Sequence, residues 1–303
     1  MRFQRRLVAH TLLMFAMAIL SSYCAGQATS PLAFPPLEQW KTAVISGNVA
    51  ALQAFYSSNP PAQVATAAGA STVTSEVAFW TGLKARRLKI TVVQSESPQA
   101  GVQRLFLQAE FLTKAGPRGQ TFYATEGQLW QMQDGQWRII GTKRSDTTKL
   151  QQPASISKVI YAPGVDAHGE IKHALQFAAK GHKRVLVVFG ANWCYDCHVL
   201  DLAFHRPDVA GLLQQNFEVV HVDVGEGDKN QDIMADYQVP MKRGIPAVAV
   251  LDSNGKLLYS QKGGEFERAR ALAPEDVLQF LNKWKPVARQ KDSFQRQHLT
   301  QNG

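Results

Sequence analysis

The sequence predicts two domains: an α+β N-terminal domain of roughly 110 residues, then an α/β domain of roughly 120. Three observations predict this. Residues 32–150 open on helix-period hydrophobics and continue as long segments of alternating apolar and polar residues, without a cysteine. Residues 161–286 instead alternate near-continuous β-branched runs with helical patterns. A Cys-x-x-Cys pair, Cys194 and Cys197, directly follows the first of those runs. With 303 residues, 45% hydrophobic and 19% charged, the chain has enough apolar material for ordinary cores; collagen, long coiled coil and wholesale disorder are excluded.

Residues 1–26 read as an address. Arg2, Arg5 and Arg6 precede an apolar run from Leu7 to Leu20, which ends in small residues around Ala25, Gly26 and Ala28. The run is shorter than the ~20 residues a spanning helix needs, so it reads as a cleaved secretory signal peptide. Lipid attachment at Cys24 is the lesser alternative, since bulky Tyr23 precedes that cysteine. The expected location is therefore periplasmic or extracellular.

Export sharpens the cysteine arithmetic. Of three cysteines, cleavage removes Cys24 and leaves only Cys194 and Cys197. So short a loop stabilises little when closed, so the pair reads as chemical rather than structural. The net charge of +9, from 33 Lys and Arg against 24 Asp and Glu, is spread along the chain. Its densest group, Lys84, Arg86, Arg87 and Lys89, reads as a solvated face, and nucleic-acid binding is rejected.

In the first domain, residues 37–56 carry apolar positions at helical spacing, with a break at Gly47-Asn48 and a stop at Asn59-Pro60-Pro61. Strands follow over 88–93, 104–112, 120–132 and 136–142, joined by hairpin loops at 114–120 and 133–135. Helices followed by long antiparallel strands, ending in residues 129–140, resemble the SnoaL-like, nuclear-transport-factor-two (NTF2) superfamily. The resemblance implies a sheet around a cone-shaped pocket, used here for a small ligand or a dimer contact. No Asp/His pair marks a second active site.

Residues 151–160 form the linker, and residues 287–303 a polar tail. In the second domain, 168–179 reads as a helix with Ile171, Leu175, Phe177 and Ala178 as its apolar side, ended by Gly181. Buried strands are expected at 185–189 and 217–224, a helix at 228–237, a strand after Ile245-Pro246 with an antiparallel partner at 256–260, and a last helix at 274–284. Trp193-Cys194-Tyr195-Asp196-Cys197 after a buried strand, with Ile245-Pro246 opening the next antiparallel strand, resembles the thioredoxin superfamily, specifically the thioredoxin domains of periplasmic thiol:disulfide interchange proteins. A strand handing over to a helix puts Cys194 at the helix N-terminus, where free N–H groups and the dipole favour a thiolate. Cys197 lies one turn on, within reach of the first sulfur. The expectation is an exposed attacking Cys194 and a buried resolving Cys197, flanked by Trp193, Tyr195, Asp196, Ile245 and Pro246. The resemblance implies a cis proline that leaves backbone groups beside the sulfurs for a substrate strand.

Two departures stand out. Asp196 brings a negative charge that opposes thiolate formation, which a charged His198 would offset. Val188 occupies the position where the family buries an Asp that takes protons from the second cysteine. A zinc site from the cysteines with His198, His205 or His221 lacks a second short-spaced pair. Residues 228–232 lack the Gly and Glu of a calcium loop. The expected function is an exported thiol–disulfide oxidoreductase exchanging with client protein thiols and a redox partner, with no cofactor beyond its own disulfide. The alternative is a non-catalytic adaptor that uses both domains as platforms.

Overall fold

The computed structural model describes residues 34–113 and 119–287. The expected leader, the loop residues 114–118 and the tail from 288 onward lie outside the described residues.

Three helices and a six-stranded sheet build the N-terminal domain. Helix α1 (Pro35–Ser46) begins on prolines, which suit the first helical positions, and turns Leu37, Trp40, Ala43 and Val44 inward. Gly47, at φ +67°, closes it by returning its N–H to the Val44 carbonyl at 3.1 Å. Asn48 then caps α2 (Val49–Gln53), its side chain accepting the Ala51 N–H. Two short strands, β1 (Gln63–Thr66) and β2 (Gly69–Ser71), and helix α3 (Val73–Gly82) are additions to the expected elements. Thr72 caps α3 by accepting the Ser75 N–H.

Strands β3 (Arg87–Gln99), β4 (Val102–Thr113), β5 (Gln120–Gln133) and β6 (Gln136–Arg144) run as an antiparallel meander, each longer than its sequence pattern. The sheet order is β2-β1-β6-β5-β4-β3, with β1 parallel to β6. Asp134 and Gly135 both take positive φ at the β5–β6 turn, which suits a two-residue hairpin. Alternate residues of β4 (Leu105, Leu107, Ala109 and Phe111) enter the core with Trp40, Trp80 and Trp130. Trp40 and Trp80 meet edge to face at 5.1 Å. Helices packed on one face of this meander give the domain its NTF2-like α+β architecture. Aromatic rings and a buried polar group occupy its interior: Glu76 pairs with Arg144 at 2.8 Å, and Glu126 accepts from Thr142.

The connection to the second domain is packed. Tyr123 and Thr148 exchange backbone hydrogen bonds at 2.8 and 2.9 Å. Gln108 donates to the Gln152 carbonyl, and Leu150 is fully buried in the apolar cluster of the second domain.

That domain is an α/β sandwich around the sheet β10-β9-β7-β8. Central β7 (Arg184–Gly190) runs parallel to β8 (Phe217–Asp223) and antiparallel to β9 (Ala247–Leu251), which pairs with β10 (Leu257–Ser260). Because side chains alternate along a strand, β7 feeds two cores. Leu186 and Val188 join Val248 and Val250 beneath α5 (Tyr195–Phe204), α6 (Pro207–Asn216) and α8 (Pro274–Trp284). Val185, Val187 and Phe189 pack with Ala247, Ala249 and Leu251 against α4 (Ala167–Gly181) and α7 (Gln231–Asp236).

Several expectations are corrected here. Helix α4 runs through Gly181, and His182 supplies the left-handed residue at φ 54°. Phe177 is exposed, with Ala174 and Ala178 as the inward positions. Helix α6 had no sequence-based expectation. Helix α7 starts only at Gln231, because Asn230 takes a left-handed turn and donates its side-chain amide to the Asp223 carbonyl. Strand β8 is an edge strand, with its outer residues half-buried.

Candidate active site

The site forms where buried β7 ends and α5 begins. Cys194 is the N-cap of α5; its Sγ accepts the Cys197 N–H at 3.2 Å. The two cysteines, with Cα atoms 5.3 Å apart, form a disulfide. One orphan donor of the helix is thus directed at the Cys194 sulfur, at the positive end of the macrodipole.

The neighbours come from three segments. The Ile245 carbonyl oxygen lies 3.6 Å from Cys194 Sγ, and the Ile245–Pro246 peptide is cis. Trp193, 52% exposed, donates its indole N–H to the Gly225 carbonyl at 3.1 Å and forms an open apolar rim. Tyr161, Cys194 and Cys197 make a small apolar cluster with Ile160 and Ile245 packed on it. Cys194 is 4% exposed, so the expected open sulfur is instead seated inside that cluster.

Asp196 faces away from the role expected of it. It is buried, and Arg270 holds it from the loop between β10 and α8, through the backbone N–H at 2.9 Å and the guanidinium Nε at 3.0 Å and Nη2 at 2.5 Å. The same guanidinium stacks over the Tyr195 ring, 4.8 Å from its centre. The acidic charge is therefore matched inside its own seat rather than opposing the cysteines.

His198 is buried and donates Nε2–H to the Asn192 carbonyl at 2.8 Å. Val188 lies in the apolar cluster, so no carboxylate stands at that position. His205 contacts Asp201, and His221 meets the Tyr161 ring edge-on. Of the expected residues, Cys194, Cys197 and Ile245 cluster together, Trp193 is exposed and bonded to Gly225, Pro246 is buried, and Tyr195 and Asp196 are turned towards Arg270.

Tyr161, Asn192, Gly190 and Arg270 surround the cysteine pair and its dipeptide, and sequence reasoning did not single them out. Asn192 accepts the N–H groups of Ile160 and Tyr161 and donates to the Tyr161 carbonyl. A lone Asn before Trp-Cys carries no signal of this, and Arg270 lies 74 residues from Asp196.

The fold and the cysteine pair define a thioredoxin-like domain that carries a Cys-x-x-Cys disulfide. Residues 166–253 match the family described as thioredoxin-like, and through this region the chain belongs to the thioredoxin-like family. A disulphide isomerase from Xylella fastidiosa is 39% identical over 42% of this chain and 97% of its own, with a TM-score of 0.41. The N-terminal part is similar to an NTF-2 like protein of unknown function from Shewanella oneidensis (14% identity, 36% of this chain and 93% of that one, TM-score 0.32). It is similar in the same way to a ketosteroid isomerase-like protein from Erwinia carotovora atroseptica (14%, 36% and 88%, TM-score 0.30). No curated protein matches the chain.

Proposed function

We propose that the chain is an exported thiol–disulfide oxidoreductase that exchanges disulfides with client proteins through Cys194 and Cys197. The observation that carries this is the seat of the Cys194 sulfur: at the first turn of α5, it accepts the Cys197 N–H beside the exposed Trp193 rim. A hydrogen bond to an anionic sulfur is stronger than one to a neutral sulfur, so the same N–H favours the Cys194 thiolate once the pair is reduced. The 39% identity to a protein described as a disulphide isomerase points the same way.

In the reductive direction, the Cys194 thiolate attacks one sulfur of a client disulfide and the other client sulfur leaves with the electron pair. Cys197 then attacks Cys194 as a thiolate. The second client thiolate leaves, and the Cys194–Cys197 bond re-forms. The oxidative direction is the reverse, and the partner potential sets which one runs. Trp193 and the Ile245 backbone form the surface a client segment meets.

Reduction of insulin disulfides by the reduced full chain, abolished by Cys194→Ser, is the expected result. The adaptor reading is favoured by the 4% exposure of Cys194; it predicts client binding that Cys194→Ser leaves unchanged and no turnover. Residues 1–26 are proposed to direct export, and a mature N-terminus at position 27 or 29 on protein recovered outside the cytoplasm checks this.

A further inference from the structure

We propose that the Tyr161 hydroxyl is the hydrogen-bond donor that receives the Cys197 thiolate when the disulfide opens. Gly190 ends β7, and a Cβ placed on it meets the Tyr161 hydroxyl oxygen at 2.1 Å and Cys197 Sγ at 2.8 Å. Oxygen and sulfur thus flank one point and lie no more than about 4.9 Å apart. The tyrosine hydroxyl fills the space a side chain at 190 would take.

This placement is held from several directions. Asn192 ties the backbone at Tyr161 through its side-chain oxygen, 2.9 Å from the Ile160 nitrogen and 3.0 Å from the Tyr161 nitrogen, and through its amide, 2.7 Å from the Tyr161 carbonyl. His221 braces the ring edge-on at 5.4 Å. The residue is 1% exposed, and Val188 provides no carboxylate from β7. Burial, with the fields of Asp201 and Asp223, holds the hydroxyl well above the ordinary tyrosine range, so it keeps its proton and remains a donor.

The chemistry balances without another reactant than the client thiol of the proposed function. A client thiolate attacks Cys194 Sγ and forms a mixed disulfide; the electron pair of the broken S–S bond passes to Cys197 Sγ. A disulfide sulfur is a poor acceptor and a thiolate a strong one, so the O–H bond turns to the new charge while its proton stays on oxygen. The return attack of Cys197 releases it.

The role rests on the oxidoreductase reading, but the test does not require a client. In the full chain carrying Cys194→Ser, the Cys197 Cβ chemical shift is followed through pH, with Tyr161 intact and as Tyr161→Phe. Phe keeps the ring and its packing. The ionisable neighbours Asp201, Asp223, His221, His198 and the Asp196–Arg270 pair are the same in both proteins. The expected result is a titration midpoint higher by about one pH unit in the Phe protein, a tenfold loss of thiolate below it. A ring-fluorinated tyrosine at 161, with a more acidic hydroxyl, is expected to lower the midpoint. Coincident curves for Tyr and Phe, or a fluorinated ring that moves the midpoint upward, overturn the proposal. Failure of client exchange with these shifts intact removes the proposed function alone.

Discussion

Arg270 and Asp196 form a side-on ion pair in which one guanidinium nitrogen lies 3.0 and 3.1 Å from the two carboxylate oxygens, and the backbone N–H of Arg270 adds a further bond at 2.9 Å. The pair links the dipeptide between the cysteines to a loop 74 residues further along. Arg270→Met leaves a buried carboxylate unmatched in the first turn of α5. The Cys194 thiolate is then disfavoured, so the disulfide form gains and the reduction potential falls. The expected shift is about 10–30 mV more negative, with a stability loss of about 1–3 kcal/mol. Arg270→Met with Asp196→Asn is expected to restore the potential. Glutathione redox equilibration of the three proteins checks both statements.

Gly190→Ala tests the close approach of β7, Tyr161 and the sulfurs. The new methyl overlaps the hydroxyl at 2.1 Å, and Cys197 Sγ at 2.8 Å gives no room behind it. The expected cost is about 1–3 kcal/mol from overpacking, with slower opening of the disulfide by dithiothreitol. Gly190→Ala with Tyr161→Phe loses only the oxygen, while the ring Cζ at 2.4 Å and Cys197 Sγ at 2.8 Å still collide with the methyl, so the double variant is expected to stay destabilised. Urea midpoints of the oxidised proteins measure it.

Leu150 tests whether the segment after the first domain is part of the second core. It is fully buried among residues of β7, α5, α6 and α8. Leu150→Ala is expected to cost about 2–5 kcal/mol and to lower the unfolding midpoint of the thioredoxin-like domain. Thermal unfolding of the full chain followed by calorimetry measures the shift.

Glu126 gives the N-terminal domain a pH dependence with a definite sign. Burial, reinforced by Glu76, raises its carboxyl from 4.5 to about 8. The folded state therefore holds a proton that the unfolded state has lost between those values, so stability is greatest at or below pH 4.5 as far as this group is concerned. It falls as pH rises towards 8 and is level beyond that. Within the window the slope reaches about 1.4 kcal/mol per pH unit. Glu126→Gln, neutral at every pH, is expected to flatten the profile; urea midpoints from pH 5 to 9 show the difference.

The parts legible in sequence are those whose signal is local. Residues 185–189 are apolar without interruption and mostly β-branched, and the last helix spans 274–284 as its apolar spacing and Pro274 predict. Cys194 and Cys197 were legible because strand, helix start and spacing coincide. Helix α3 was hidden: Val73, Thr74, Val77, Phe79 and Trp80 favour strands by propensity, and only packing of Val77 and Trp80 into the tryptophan core decides for a helix. Helix α6 was hidden by Gly211 and the polar run Gln214-Gln215-Asn216; Val209 and Leu213, with half-buried Leu212, anchor it. The partners of the site residues were hidden for a further reason. Arg270 and Tyr161 reach Asp196 and Cys197 through the fold, and the missing side chain at Gly190 has meaning only once Tyr161 is seen to fill its place.

The most direct measurement traps the exchange intermediate. The full chain carrying Cys197→Ser is reduced and mixed with a peptide containing one disulfide, and the products are digested and weighed. One peptide half joined to Cys194 by a bond that dithiothreitol breaks, and no such adduct when Cys194→Ser is added, is the outcome predicted here. An untouched peptide disulfide beside a free, folded Cys194 thiol contradicts the proposed activity.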